Sequence, residues 1–384
     1  MKLRRLVSIS LTLTVGLSIV VGFNQAVAAG NPNCNAVDGD YIVSFVRGVN
    51  VDKEIQGAPG RAISAKYRYQ AVLNGFAATL SAEQVCAFQK RPSIEIIELD
   101  KVASINTIQT PAPSWGLDRI DDAKLANDKN YDYLSDGTGV TAYVIDTGIE
   151  TTHPDFEGRA RWGGNWAGGA NTDCNGHGTH VAGTIGGKVY GVAKKVNLVA
   201  IKVLSCSGSG SYSGVIAGMD YVAKTAAKPA VANMSLGGPG DAAMDTAVNG
   251  LVAAGVFLVV AAGNESTDAS TSSPARSSSA ITVGASDATD LMASFSNYGP
   301  IVDVFAPGVS IKSDWIKGRT NTISGTSMAS PHVAGVIARY LQKNPFAVAG
   351  GTLPSILLNT NIVRLRTLAL SNTTQSLVFA DPKL

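Results

Sequence analysis

The chain lacks an excess of either charge: 31 Lys and Arg stand against 29 Asp and Glu in 384 residues. No strong field is available to draw in nucleic acid or an anionic membrane surface. Only 16% of residues are charged, and the four cysteines include no C-x-x-C pair, which argues against a cysteine-bound metal. His177 and His180 lie three apart without an H-E-x-x-H zinc signature. His180 and His332 are therefore expected to be hydrogen-bonded packing residues, and His153 is expected in a surface loop. No segment repeats with a fixed period. Beyond Phe23 no apolar run is long enough to span a bilayer, so no stable membrane anchor is expected. What the chain does have is 45% hydrophobic residues and 41 glycines. That mixture excludes disorder and suits a large, tightly turned α/β core.

The first segment reads as an export signal. Lys2, Arg4 and Arg5 precede an apolar run from Leu6 to Phe23, and Ala26-Val-Ala28 offers small residues for cleavage. Export permits disulfides. Four cysteines allow three connectivities; pairing Cys34 with Cys86 and Cys174 with Cys206 would keep each bridge inside one proposed domain.

Asp38 to Lys101 reads as a small α+β unit. Strands are expected at Asp40–Val46, Ala71–Leu80 and Ile94–Leu99, with a short helix after the N-cap Ser81. Ser104 to Pro113 reads as an extended linker. From Trp115 onward, β-branched runs at Gly139–Ile145, Leu198–Val203, Val231–Met234, Val256–Ala261 and Ala280–Val283 alternate with Ala- and Gly-rich stretches. Helices are expected at Gly176–Gly186, Ser213–Thr225, Ala242–Ala254 and Val333–Gln342. Continuous apolar strands alternating with helices predict an α/β fold, a mostly parallel sheet with helices on both faces. The domain reading is residues 1–29 signal, 30–106 front unit and 107–384 main domain.

Polar residues interrupt this pattern at telling places. Val144-Ile-Asp-Thr-Gly148 ends a strand in Asp146, and ligands of parallel sheets gather at carboxyl ends of strands. Asn175-Gly-His-Gly-Thr-His-Val-Ala-Gly183 opens a helix with His177 between two glycines. Ser324-Gly-Thr-Ser-Met-Ala-Ser-Pro331 puts Ser327 near a helix start, where unpaired N–H groups favour a developing anion. Val259-Val-Ala-Ala-Gly-Asn264 ends a strand in an amide donor. Each has an ordinary reading as a cap or turn residue. Together they answer one chemical need: a neutral serine requires a base, the base an orienting carboxylate, and the oxyanion preorganised donors.

In this order the segments resemble the subtilisin family, whose triad runs Asp, His, Ser. Trp115-Gly-Leu-Asp-Arg-Ile120, Tyr190-Gly-Val-Ala-Lys194 and Ser294-Phe-Ser-Asn-Tyr-Gly299 resemble its proteinase K branch, especially the aqualysin-like members. The likeness runs from about Gln109 to Tyr340. It implies a secreted, monomeric serine endopeptidase acting on proteins and peptides, with Asp146, His177 and Ser327 as triad and Asn264 with the Ser327 N–H as oxyanion hole. It makes the front unit similar to the family's inhibitor-like propeptide, removed by self-cleavage near Asn106–Thr107. It implies a Cys174–Cys206 bridge beside the histidine loop. Gly208, Gly210 and Tyr212 on one edge, and Ser235, Leu236 and Gly237 on the other, resemble the backbone edges that pair with extended substrate. Gly237 and Gly238 leave the first pocket open to apolar or aromatic side chains. Asp303 with Ser278 and Ala280, and Asp118, Asp121, Asp122, Asp128 and Asn130, resemble two structural calcium sites.

Two other readings compete. A silent subtilase fold that only binds peptides predicts a lost triad or oxyanion residue, and none is lost. A lipase expects G-x-S-x-G with its acid and histidine after the serine; Gly325-Thr-Ser-Met-Ala329 lacks the second glycine and both partners precede Ser327.

Overall fold

The computed structural model describes residues 34–70, 74–100, 107–125, 128–351, 353–354, 357–359 and 372–383. The export signal and Asn106 lie outside them. The chain divides into two compact units, Met1–Ala103 and Ser104–Leu384.

In the first unit, β1 (Gly39–Phe45), β2 (Tyr67–Tyr69), β3 (Asn74–Leu80) and β4 (Ile94–Leu99) form an antiparallel sheet of order β2-β3-β1-β4. Helix α1 (Val51–Gln56), which the sequence reading omitted, starts on Asn50, whose side chain accepts from Lys53 N. Helix α2 (Ala82–Gln89) starts on a full capping box between Ser81 and Gln84. Phe45, Phe76 and Phe88 meet in its small core. A disulfide joins Cys34 to Cys86.

The second unit opens with β5 (Thr107–Gln109), which pairs with β6 (Tyr131–Tyr133); helix α3 (Trp115–Ile120) lies between them. The segment expected as a linker, Ser104 to Pro113, thus contains a strand. The main sheet takes up β7 (Thr141–Asp146), β8 (Ala160–Asn165), β9 (Asn197–Lys202), β10 (Ala230–Met234), β12 (Phe257–Ala261), β14 (Ile281–Ser286), β15 (Val304–Pro307), β18 (Leu358–Asn359) and β19 (Leu377–Val378). Its order is β18-β19-β15-β14-β12-β10-β7-β9-β8, parallel throughout except β18. Two short pairs flank it: β11 (Gly238–Pro239) with β13 (Ser272–Ser273), and the hairpin β16 (Ile311–Trp315) with β17 (Arg319–Ile323).

Alternation along the strands loads both faces. Ala142 and Val144 of β7 join one core with α4 (His177–Gly186) and α7 (Thr326–Lys343). Tyr143 and Ile145 join a second core with α5 (Tyr212–Thr225) and α6 (Ala242–Ala253). Burial on both faces is why these strands read as unbroken apolar runs.

Helix α7 corrects the sequence reading, since it begins at Thr326 rather than Val333 and carries Pro331 inside it. Proline removes the N–H that would reach the carbonyl four residues back, here Ser327. Ser235 Oγ donates to that carbonyl instead, at 2.9 Å. The helix therefore runs through its proline. His153 is a second correction: it is buried, with Nδ1 accepting from Asp155 N (3.2 Å) and Nε2 beside Arg319 O (3.1 Å).

Candidate active site

Asp146 closes β7 at its carboxyl end and is fully buried. Its Oδ1 accepts from Thr147 N (2.7 Å) and from His177 Nδ1 (2.8 Å). His177 is the first residue of α4. Burial opposes a charged ring there, but the Asp146 charge, its hydrogen bond and the Asp173 charge outweigh it, so the imidazole pKa is raised. His180 and His332 behave differently. They contact the carbonyls of Ile311 (3.1 Å) and Met328 (2.8 Å), and burial pushes both down to about 4.

Asp173 was not singled out in the sequence, yet it fixes how α4 meets β7. Its buried carboxylate accepts from Thr147 Oγ1 (3.0 Å), Gly176 N (2.9 Å), Thr179 N (2.9 Å) and Thr179 Oγ1 (2.6 Å). Thr147 Oγ1 in turn accepts from Gly178 N (2.9 Å). The visible signal was an Asp shortly before Asn-Gly at a helix start. Gly178 must be glycine because a Cβ there would collide with the Gly148 carbonyl. The disulfide between Cys174 and Cys206 ties this loop to the segment after β9, and Asn175 Nδ2 donates to Cys206 O at 2.9 Å.

Ser327 stands second in α7. Its hydroxyl donates to Ser235 O at 3.2 Å, and that hydrogen must turn away before a base can take it. Asn264 follows β12, and its Oδ1 accepts from Thr326 N (2.8 Å) and Thr326 Oγ1 (3.0 Å). With the oxygen so occupied, Nδ2 remains to donate. A point above Gly325, where a Cβ would stand, lies 3.6 Å from Ser327 N and 3.7 Å from Asn264 Nδ2. Both donors thus face one small space.

Two clefts share the Leu236–Gly237 wall. The first, about 340 Å³, is lined by His177, Leu204, Gly208, Gly210, Tyr212, Ser235 and others. The second, about 550 Å³, is lined by Gly238, Ala261, Gly263, Asn264, Thr326 and Ser327 among others. All six residues expected to pair with substrate line the first. Glu265, passed over in the sequence, lines the second, its Oε2 accepting from Asn297 Nδ2 (2.8 Å). Tyr212 Oη donates to Pro239 O at 2.9 Å and bridges the two edges.

The description "Subtilase family" matches residues 137–378, and "Peptidase inhibitor I9" matches residues 41–106. The chain belongs to the subtilase family. This subtilase is 52% identical over 293 residues to "Extracellular serine proteinase" of Thermus sp. (strain Rt41A), covering 75% of this chain and 71% of that one. It is 58% identical over 254 residues to "Proteinase T" of Parengyodontium album, covering 64% and 86%. "Alkaline serine exoprotease A" of Vibrio alginolyticus is 55% identical over 280 residues, 71% of this chain; the match spans about half, 52%, of that relative. The structure titled "Crystal structure of a cold adapted subtilisin-like serine proteinase" is 52% identical at TM-score 0.65, covering 69% of this chain and 97% of that one. The subtilase is a serine endopeptidase preceded by an inhibitor-type unit.

Asp118, Asp122 and Asp128 each bring a carboxylate oxygen within 4.8 Å of the others, a group able to hold a metal ion. Asp122 Oδ2 is buried without a hydrogen-bond partner. An all-oxygen acidic set of this kind fits Ca²⁺. Asp121 and Asn130, read with them, each use one oxygen in a bond of their own, and Asp121 Oδ1 stays buried without a partner. Asp121 Oδ2 accepts from Asp132 N (2.5 Å), and Asn130 Oδ1 accepts from Thr110 Oγ1 (2.6 Å). Asp303 Oδ2 accepts from Thr282 N at 2.7 Å, and burial pushes its carboxyl up to about 6.

Behind α4, Asp314 of β16 faces Asp155 across Gly187. Neither Asp314 oxygen receives an N–H or hydroxyl bond, and Oδ1 lies 3.7 Å from His153 Nδ1. Burial, then the Asp155 charge, push Asp314 up to about 9. The folded state therefore keeps a proton that the unfolded chain releases near pH 4, and stability falls as pH rises between these values. Asp314→Asn keeps a donor to Asp155 without that linkage. In a Ser327→Ala background it should gain on the order of 2 kcal/mol at pH 8 over its parent, and less at pH 5. Equal pH slopes in thermal melts of the two proteins would contradict this.

Proposed function

We propose that this subtilase is an exported endopeptidase in which Asp146, His177 and Ser327 form the triad, Asn264 supplies the oxyanion donor, and residues 30–106 act as a propeptide. The observation that carries the reading is the 2.8 Å Asp146–His177 contact at the edge of a cleft whose adjoining chamber holds Ser327 and Asn264.

His177 Nε2 takes the Ser327 hydroxyl proton as Oγ attacks the scissile carbonyl, while Asp146 holds Nδ1–H and stabilises the imidazolium. The carbonyl oxygen becomes an anion between Asn264 Nδ2 and Ser327 N, at the start of α7. The imidazolium returns its proton to the leaving amine as the C–N bond breaks. Water, deprotonated by the same imidazole, then releases the acyl group. An extended peptide pairs its backbone along Gly208–Gly210 and Ser235–Gly237, so recognition tolerates many sequences. The chamber beside Gly237 and Gly238 accepts apolar or aromatic side chains.

The front unit's I9 match supports its role as inhibitor and first substrate, with the cut near Asn106–Thr107. The relative named "Extracellular serine proteinase" supports export. Expressing the full chain tests the reading. The mature protein should begin near Thr107 by intact mass and should degrade unfolded protein; a chain that stays whole and inert overturns it.

Calcium would be held by Asp118, Asp122 and Asp128, and by Asp303 with the Ser278 and Ala280 carbonyls, and its contribution is to stability. An ion present at a hundredfold its Kd stabilises by about 2.7 kcal/mol. Chelation should therefore lower the melting temperature by roughly 5–10 °C. An unchanged melting temperature would remove both sites.

A further inference from the structure

On the strand beside Asp146 sits a buried cation that the mechanism does not use. Lys202 ends β9 in register with Asp146 and is 2% exposed. Among the described residues it forms no salt bridge. Its Nζ donates to Thr147 O (2.6 Å) and Leu204 O (2.9 Å), with Cys174 Sγ 4.0 Å away. Burying an ammonium without a paired carboxylate is costly, so its retention asks for a reason.

Thr147 supplies one. Its N–H holds Asp146 Oδ1, its Oγ1 links Gly178 and Asp173, and its carbonyl is held by Lys202. With all three fixed, Thr147 is held through both of its peptides, and its N–H keeps the Asp146 carboxylate turned to His177. Leu204, the second carbonyl on Nζ, lines the cleft beside His177. The same ammonium therefore joins the base's support to the substrate wall.

Charge supplies the other. Asp146 Oδ2 is buried without a hydrogen-bond partner. The titratable groups around this centre are Asp146 on β7, Asp173 before α4, His177 and His180 on α4, and Lys202 on β9. Asp146 and Asp173 favour imidazolium, and the same two carboxylates act on the Lys202 ammonium, so the two cations share one pair of anions. His180 is neutral near pH 7, its pKa being pushed down to about 4.

We propose that Lys202 is a positioning residue for the Asp146–His177 pair, clamping the Thr147 peptide and setting a positive charge behind the carboxylate so that His177 stays neutral to lower pH. This rests on the triad reading above. Removing a cation from beside an imidazole raises its pKa. The acid limb of kcat/KM must then move to higher pH.

The test compares wild type with Lys202→Met, Lys202→Gln and Lys202→Arg, each corrected for active sites by titration. Met should lower kcat/KM at neutral pH about tenfold with KM little changed, and should shift the acid limb upward by roughly half to one unit. Gln keeps a donor for Thr147 O without the charge; it should recover part of the rate and keep the shifted limb. Arg should return the limb toward wild type. For variants that do not mature, imidazole NMR titration of the full-length Ser327→Ala protein with and without Lys202→Gln reads the His177 shift directly. An unmoved limb, with loss confined to the titratable fraction, overturns the proposal, as does an unchanged imidazole pKa. Should Ser327→Ala remain active, the triad reading falls, while the imidazole titration still decides the charge effect of Lys202.

Discussion

Ser327→Ala should leave the full chain uncut and lower peptide hydrolysis by about 10⁶-fold, the size of loss established for the subtilisin nucleophile. The reason is chemical rather than structural. Alanine removes Oγ and nothing else, so the acyl ester cannot form. Ser327 Oγ contributes one hydrogen bond, to Ser235 O, and its carbonyl bond from Ser235 Oγ is untouched. The variant should fold with both disulfides and bind peptide in the same cleft. What remains is catalysis by binding and the oxyanion donors alone, worth roughly 10³–10⁴ over water. The checks are intact mass of the purified chain and turnover of a chromogenic peptide. Self-processing by the variant at a rate near wild type would remove Ser327 from the mechanism.

Asn264→Leu should lower kcat by about 10²–10³ with KM little changed, as the matching change does in subtilisin. The split matters. Asn264 Nδ2 has its partner only when the carbonyl oxygen becomes an anion, so its loss is felt in the transition state and not in substrate binding. The side chain has a second task, since Oδ1 accepts from Thr326 N and Oγ1. Losing that acceptor should also cost about 1 kcal/mol of stability. Steady-state kinetics at saturating substrate, beside a thermal melt, separates the two. A variant with raised KM and intact kcat would assign Asn264 to binding rather than to the oxyanion.

The parts of this molecule that could be read from its sequence are those whose cause is local. Strands β7, β9, β10 and β12 are unbroken apolar runs because both faces are covered, and α4 to α6 are bounded by small residues and caps. The catalytic candidates stood out because polar residues end those runs. Where a distant residue supplies the missing piece, reading failed. Pro331 looked like a boundary because Ser235, 92 positions from Ser327, furnishes the bond that proline cannot. Lys202 and Asp314 carried no local mark, and Asp173 only that of an Asp shortly before Asn-Gly. Their importance comes from Thr147, which the fold brings to Asp173 and Lys202, and from Asp155, which it brings to Asp314. The acidic cluster was visible as composition, but only the backbone decides that oxygens of Asp118, Asp122 and Asp128 converge and that Asp121 Oδ2 caps Asp132 N. The hairpin β16–β17 escaped because its strands are short and mixed in character.

The triad assignment can be tested without any substrate. A fluorophosphonate reacts with a serine only when a base activates it and donors stabilise the negatively charged oxygen. Mature protein treated with such a probe, digested and mapped by mass spectrometry, should carry a single adduct on Ser327, and His177→Ala should abolish it. An adduct on another serine, or none on a preparation that degrades protein, would contradict the account.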